Sequence, residues 1–376
     1  MKLFLILFFY LIEILYSFKL NSTYDHGLQV AALSQIKIYY PTLSVNYLAS
    51  SGYNGTIKIW NTNDGKLVFS LSKSNGGHTD TVFSLASFQN GYLASGSADS
   101  TVKIWDLHNG KLKYTFYQSN TEHTAWVRSL ASLENGHLAS GSQGGSIKIW
   151  DIINGNLKYN FDQSNGGHTN WVYSLVELEN GHLASGSIDS TIKIWDIRNG
   201  RLKFSFDQSN GGHLNEIRSL VKLENGYLAS GSIDSTIKIW DVTNGKLKFT
   251  FDQHNGGHFG SINSLVSMEN GYLASGSNDK TIKIWDIINY KLKVTFDQSN
   301  GGHSETVLSL LSLENGYLAS SCYEGVIKIW DDKLKFTFDR SNGGHYYWIY
   351  SLVELGNGYF ASGSGDKTVK IWDTVN

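Results

Sequence analysis

A hexapeptide, Thr-Ile-Lys-Ile-Trp-Asp at residues 191–196, occurs eight times in this chain, exactly or as a near copy. Its tryptophans are Trp60, Trp105, Trp150, Trp195, Trp240, Trp285, Trp330 and Trp372; the first six intervals are 45 residues each and the last is 42. A fixed period in this range means one supersecondary unit copied many times, each copy unable to bury its apolar face alone. The repeat therefore overrides the two or three separate domains that 376 residues would ordinarily suggest.

Residues 165–210 show the unit. Asn165-Gly-Gly-His168 leads into Trp171–Leu178; Glu179-Asn180-Gly181 turns the chain into His182–Ser187. Ile188-Asp189-Ser190 then precedes the hexapeptide, and Asn199-Gly200 precedes Leu202–Phe206. These are four short runs rich in Ile, Val, Leu, Phe and Trp, the composition of β-strands, here named a, b, c and d in order. The a–b and c–d turns carry Asn-Gly, which accepts the positive φ of a tight hairpin. No segment has helical apolar spacing. With one proline and 39 glycines, the turns are made by glycine.

Two copies depart in length. The seventh lacks three residues after its tryptophan, running Trp330-Asp331-Asp332-Lys333, which explains the last interval. The first is seven residues longer between its histidine, His26, and Trp60, and the extra length holds Pro41. Four-stranded meanders bury their faces by stacking radially, and a closed ring removes the exposed ends. The expected fold is all-β: one eight-bladed propeller of four-stranded antiparallel blades. The eighth copy runs out of chain after strand c, so its fourth strand must come from the N-terminus. Counting back from His26, residues 15–19 fall in register with Leu67–Leu71 and are expected to close the ring.

Gly-His, then Ile-Trp-Asp, with an Asp six residues before the Trp, resembles the WD-repeat family over residues 15–376. The resemblance implies a β-propeller that scaffolds protein complexes without catalysis, and a hydrogen-bonded His, Ser, Asp and Trp tetrad in each blade. Its members here would be His78, Ser95, Asp99 and Trp105; His168, Ser185, Asp189 and Trp195; His213, Ser230, Asp234 and Trp240; His258, Ser275, Asp279 and Trp285; and His345, Ser362, Asp366 and Trp372. Asn54, Gly144 and Glu324 stand where the acid belongs in the other three copies. Gly144 is expected to leave His123 without that partner and to make blade three the least rigid; Glu324 is one methylene too long. A Ser–His–Asp grouping that recurs in blade after blade is structural, because an active site would be single and would carry an oxyanion hole. No catalytic residue, metal ligand or cofactor is expected, since no His/Cys/Asp cluster has ligand spacing.

Positions that serve the fold should agree between copies, and positions free to serve a partner can differ. The residue three beyond the repeat histidine varies, and it holds Trp126, Trp171 and Trp348, the three tryptophans outside the hexapeptide. Two residues further stand Phe83, Arg128, Tyr173, Arg218, Asn263, Leu308 and Tyr350; the residue before the tetrad acid is also variable and includes Tyr53 and Tyr323. On a WD-type propeller these positions face the channel mouth. The expected partner-binding residues are Trp126, Arg128, Trp171, Tyr173, Arg218, Tyr346, Trp348, Tyr350, Tyr53 and Tyr323. Trp, Tyr and Arg dominate interface energetics, and the two arginines would pair carboxylates or phosphates. Blade eight is several blades from blades three and four, which leaves one patch or two open. On the opposite face the repeated Glu-Asn-Gly turns and strand-c lysines such as Lys103, Lys193 and Lys283 are expected to be solvated.

The expected role is a protein–protein interaction scaffold or adaptor, a monomeric propeller within a larger complex. The alternatives are a reader of modified peptide tails and a secreted or membrane-tethered propeller. Nothing points to nucleic acid, because the net charge is −2. Cys322 is the only cysteine, which excludes an intramolecular disulfide. Met1-Lys2, the apolar run Leu3–Tyr16 and Ser17 resemble a signal peptide, and residues 1–14 are set apart as an apolar segment that is signal-like or part of the closing strand. Asn21-Ser-Thr and Asn54-Gly-Thr match the glycosylation pattern. Cleavage after Ser17 would cut a closing strand at 15–19, so the retained, cytoplasmic reading is favoured, with secretion or membrane association as the alternative.

Overall fold

The computed structural model describes residues 19–39, 44–116 and 123–374. Their strands form eight four-stranded antiparallel sheets in the spatial order a to d, seven of them built from one repeat each and the eighth completed by an N-terminal strand. The strands a, from Val30–Tyr39 in blade one to Ile349–Gly356 in blade eight, touch one another in sequence, and blade eight packs against blade one. The chain is an eight-bladed propeller.

Strand d of blade eight is Lys19–Asp25, paired with Thr368–Asp373. Tyr24 stands opposite Val369, as Phe206 stands opposite Ile192 in blade four. The N-terminus does close the ring, but with a later segment than 15–19. Phe206 and His213 are seven residues apart, whereas Tyr24 and His26 are two apart. The ordinary link holds a short 3-10 turn, Gln208–Asn210, ended by left-handed Gly211; the N-terminal link is too short for it. Residues 1–18, including the segment 1–14, lie outside the described residues. The described strand, Lys19–Asp25, lies wholly after Ser17, so a chain cut there keeps all of these residues. The conflict between cleavage and closure, on which the cytoplasmic reading rested, therefore disappears.

The core lies between blades. Strand c of blade four is buried through Ile192, Lys193, Ile194 and Trp195, because both faces of its sheet are covered by neighbouring blades. The strand-d aromatic of one blade stacks on the tryptophan of the next: Phe161 on Trp195 at 4.3 Å, Phe206 on Trp240 at 4.4 Å, and Tyr24 on Trp60 at 5.0 Å across the closure. Such a pair contributes about 1 kcal/mol beyond its buried area. The extra length of blade one extends its a–b hairpin, whose strands are Val30–Tyr39 and Ser44–Gly52.

The strand-c lysines are not solvated as expected. Lys103, Lys193 and Lys283 are buried and donate to strand d of their own blade, at Thr115 Oγ1 (3.2 Å), Ser205 Oγ (3.4 Å) and Thr295 Oγ1 (3.0 Å). The stem of each packs between blades while its ammonium meets a hydroxyl. Burial pushes all three below the usual lysine pKa, against the opposing pull of the tetrad aspartates.

Candidate functional site at the channel mouth

Each blade is tied at this face by its histidine. In blade four Trp195 Nε1 donates to Ser185 Oγ at 2.9 Å, and Ser185 Oγ lies 2.8 Å from His168 Nε2. His168 Nδ1 lies 2.9 Å from Asp189 Oδ2. One order of protons satisfies all four groups: indole to hydroxyl, hydroxyl to Nε2, Nδ1–H to carboxylate. The imidazole is then neutral, and burial does lower its pKa, against the raising effect of Asp189. Burial alone would raise the Asp189 carboxyl. The hydrogen bond from His168, with bonds from Thr191 and the Thr169 N–H, outweighs it and holds the carboxyl far below the usual range. The same bonds join the tetrads built on His78, His213, His258 and His345. The serine of each is fully buried, with its hydroxyl held from two sides.

The three departures differ from one another. In blade three His123 is not left unpartnered: Ser146 Oγ lies 2.9 Å from Nδ1 and replaces the missing acid. In blade seven Glu324 turns away and accepts from Ser304 Oγ at 2.7 Å. His303 Nδ1 is then buried without a partner, because Val326 stands where other blades have the hydroxyl of Thr or Ser. In blade one His26 Nε2 donates to the Ser50 carbonyl at 3.2 Å, while its Nδ1 is also buried, with no partner among the described residues. Burial lowers His123 and His303 to about 3 and His26 to about 4.

The variable residues of strand a owe their display to a backbone irregularity. The pairing register shifts across Phe83, Arg128, Tyr173, Arg218, Asn263, Leu308 and Tyr350, each of which is skipped between paired neighbours. A β-bulge frees such a residue from the alternation of the strand and re-aims its side chain. Beneath it, serine hydroxyls knit the inner strands together: Leu130 N–H donates to Ser84 Oγ, Leu220 N–H to Ser174 Oγ and Leu265 N–H to Ser219 Oγ, at 3.0–3.2 Å. The rim thus stands on a rigid ring.

Two aromatic clusters occupy that rim. In the first, the Arg128 guanidinium carbon lies 3.9 Å from the centre of the Phe83 ring, 4.8 Å from that of Trp171 and 5.2 Å from that of Trp126. Trp126 and Trp171 are 6.4 Å apart, and Trp171 meets Tyr173 at 5.9 Å. Arg128 Nε is buried without an acceptor among the described residues, and burial lowers the guanidinium pKa. In the second cluster Trp348 meets Tyr323 at 5.3 Å, Tyr347 at 5.4 Å and Tyr350 at 5.9 Å. Gly365 makes room for this indole: a Cβ there would stand 2.4 Å from Trp348 Nε1.

Tyr53 of blade one lies within electrostatic reach of both Arg128 and Tyr350. Blade one, which carries Tyr53, stands between blade eight and blade two in the closed ring. Burial, with Tyr53 and Tyr323 nearby, raises the Tyr350 phenol. Two of the expected residues stand apart. Arg218 is exposed and donates to Asn263 Oδ1 at 2.9 Å. Tyr346 lies on the d–a loop, with its carbonyl bound by Arg340 Nη2 at 3.0 Å. Phe83 belongs to the first cluster; its sequence signal was its place in the variable column that also holds Arg128. Among the described residues no group of His, Cys, Asp or Glu could hold a metal ion, and no helix is long and apolar enough to cross a membrane.

The sequence matches the family model described as WD domain, G-beta repeat, over residues 38–61, 65–106, 110–151, 159–196, 203–241, 245–286, 292–331 and 334–373. Among solved structures it is similar to the computationally designed Ika8 protein, with 28% identity and a TM-score of 0.75 over 93% of this chain and 97% of that one. No curated protein matches it.

Proposed function

The chain belongs to the WD-repeat family, and from that premise we propose that it is a non-enzymatic scaffold or adaptor that takes a peptide or loop of a partner protein across its channel mouth. Propellers of this family generally serve as protein-interaction scaffolds and are typically without catalysis. One observation carries the finer reading: Arg128 is half-buried among Phe83, Trp126 and Trp171, with an unpartnered Nε and no acid beside it among the described residues. A guanidinium in that state gains most from a carboxylate or phosphate supplied from outside, presented in plane with its fork. The surrounding rings supply contact area at low entropy cost. Arg218 and Tyr346 belong to this proposal only as flanking contacts.

The test compares the partners recovered by the intact protein with those recovered by a Trp126→Ala, Trp171→Ala, Trp348→Ala triple variant. Loss of a common set is expected. An unchanged set, with the circular dichroism of a folded propeller, would overturn the proposal.

A second reading rests on the other cluster. Trp348 with Tyr323, Tyr347 and Tyr350 offers several ring faces to one cationic or methylated side chain. A trimethyl-lysine peptide that binds the intact protein, but not Trp348→Ala, would favour it. The compartment is a separate question. A closing strand that starts at Lys19 is compatible with a mature chain beginning at Phe18, and Asn54 of the Asn-Gly-Thr tripeptide is exposed. Both observations are compatible with the secreted alternative, and N-terminal sequencing of the mature protein decides between it and the cytoplasmic one.

A further inference from the structure

The residue after the hexapeptide aspartate plugs the seam between its own blade and the preceding one. Leu107, Ile152, Ile197 and Ile287 do this, each almost wholly buried in an inter-blade cluster. The N–H of the plug also donates to the a–b turn, as Ile197 does to Gly181 O and Ile287 to Gly271 O, both at 3.0 Å. Blade seven has lost this residue. Its three-residue deletion closes Asp331 N–H directly onto Lys333 O at 3.0 Å, and the cluster between blades six and seven holds no plug.

The seam is open there. A cavity of about 220 Å³ is lined by Met268, Ile284, Val294, Phe296 and Leu318 below, and by Glu269, Lys293, Asp331 and Asp332 above. Met268 is half-buried, whereas its counterparts Leu133, Leu178, Leu223 and Leu313 are buried. At the rim Lys293 lies 3.9 Å over the Tyr272 ring and 4.0 Å from Asp332. Glu269 is exposed and pairs with no cation among the described residues.

We propose that this cleft is a docking site for a partner protein that inserts one bulky apolar side chain from a basic segment. The side chain takes the place of the missing plug. The floor fits it because five other seams close on an aliphatic residue at the same point, Val242 joining the four above. The flanking lysine or arginine meets Glu269, the rim carboxylate with no cation among the described residues, and shares Asp332 with Lys293, which selects a basic segment over an acidic one. The site lies on the face opposite the aromatic rim and is independent of it.

The probes are three capped tripeptides, Lys-Phe-Lys, Glu-Phe-Glu and Lys-Gly-Lys, titrated against the full chain by calorimetry. Lys-Phe-Lys is expected to bind at least tenfold tighter than either of the others. Replacing Asp332 by Ile-Ile-Asn-Gly gives blade seven the loop of blade three, residues 152–155, and is expected to abolish binding. Glu269→Lys, an exposed change that tests the site without the insertion, is expected to weaken it about tenfold. The triple tryptophan variant of the rim should bind the peptide as the intact protein does. Equal binding of Glu-Phe-Glu, no binding of Lys-Phe-Lys, or unchanged binding by both cleft variants overturns the proposal.

Discussion

The guanidinium of Arg128 stacks on the ring of Phe83, one blade away, at 3.9 Å, while its Nε is buried with no acceptor among the described residues. The contact joins blades two and three at the channel mouth. It holds a charge where stability alone would not put one.

Arg128→Leu therefore separates stability from binding. The stacking it loses is worth about 1–2 kcal/mol, and the unsatisfied buried N–H it removes costs about 1–3 kcal/mol. The two nearly cancel, so the urea midpoint should change by less than about 1 kcal/mol equivalent, while affinity for the rim partner falls by a large factor. A stability loss above about 3 kcal/mol would mean that Arg128 holds the fold together instead.

Blade seven carries a defect that can be repaired. His303 Nδ1 has no partner because Glu324 bonds Ser304 and Val326 offers no hydroxyl. Glu324→Asp with Val326→Thr recreates the arrangement of Asp189 and Thr191 around His168. Satisfying one buried donor is worth about 1–3 kcal/mol, so the double variant should raise the denaturation midpoint. The same pair of changes reversed in blade four, Asp189→Glu with Thr191→Val, should lower it. Equal midpoints in all three proteins would show that these tetrads contribute little.

The repeat period made the blade count, the strand order and the tetrads legible, because each copy confirmed the others. What it concealed is equally physical. A β-bulge has no composition of its own, so the skipping of Arg128 and Tyr173 could not be seen, although their column was visibly variable. The strand-c lysines look like solvent-facing residues in an alternating strand. They are buried because a propeller covers both faces of every sheet. The closing strand was misplaced because the count assumed a link of ordinary length before His26, whereas Tyr24 follows by only two residues. Gly144 seemed to orphan His123, but the serine two positions later could not be recognised as a substitute partner from spacing alone.

Acid should unfold the propeller early. The tetrad histidines, with His26, His123 and His303, are neutral in the fold, and burial holds their pKa values below the ordinary 6.5, to about 4 for His26 and about 3 for His123 and His303. The unfolded chain takes up protons as the pH falls through 6.5 while the folded one does not. Stability is therefore full above that value and is lost progressively toward pH 4, by about 1 kcal/mol per pH unit for each of His26, His123 and His303, with a further loss of the same sign from the tetrad histidines. The tetrad aspartates, lowered in the fold, add their own loss only below the ordinary carboxylate range, near 4. Urea midpoints measured from pH 7.5 to 4.5 should fall from about 6.5 downward; a flat profile to pH 4.5 would contradict the neutral, buried assignment.

The closing strand gives a truncation pair with opposite outcomes. A chain starting at Phe18 retains Lys19–Asp25 and should unfold cooperatively, with the midpoint of the full chain. A chain starting at His26 loses Tyr24 from Trp60 and leaves strand c of blade eight as an open edge. Removing a buried aromatic side chain alone costs about 3–5 kcal/mol, and an unpaired edge invites association. This shorter chain should melt lower and self-associate in analytical ultracentrifugation. Equal melting of the two would move the closing strand elsewhere.

The rim can also be reshaped without changing any of its binding groups. Gly365 lies beneath Trp348, and a Cβ there would stand 2.4 Å from Nε1. Its backbone is not left-handed, so alanine strains the neighbour and not the chain. Gly365→Ala should push the indole off Tyr323 and Tyr350 at a stability cost of about 1–3 kcal/mol, the usual range for overpacking. Every ring of the cluster remains, but the faces no longer converge. If Trp348 binds through that convergence, Gly365→Ala should weaken a partner held at blade eight about as much as Trp348→Ala does, and should leave binding at Arg128 untouched. Tryptophan fluorescence of the free variant reports whether the indole has moved. A shifted spectrum with full partner affinity would show that blade eight takes no part in binding.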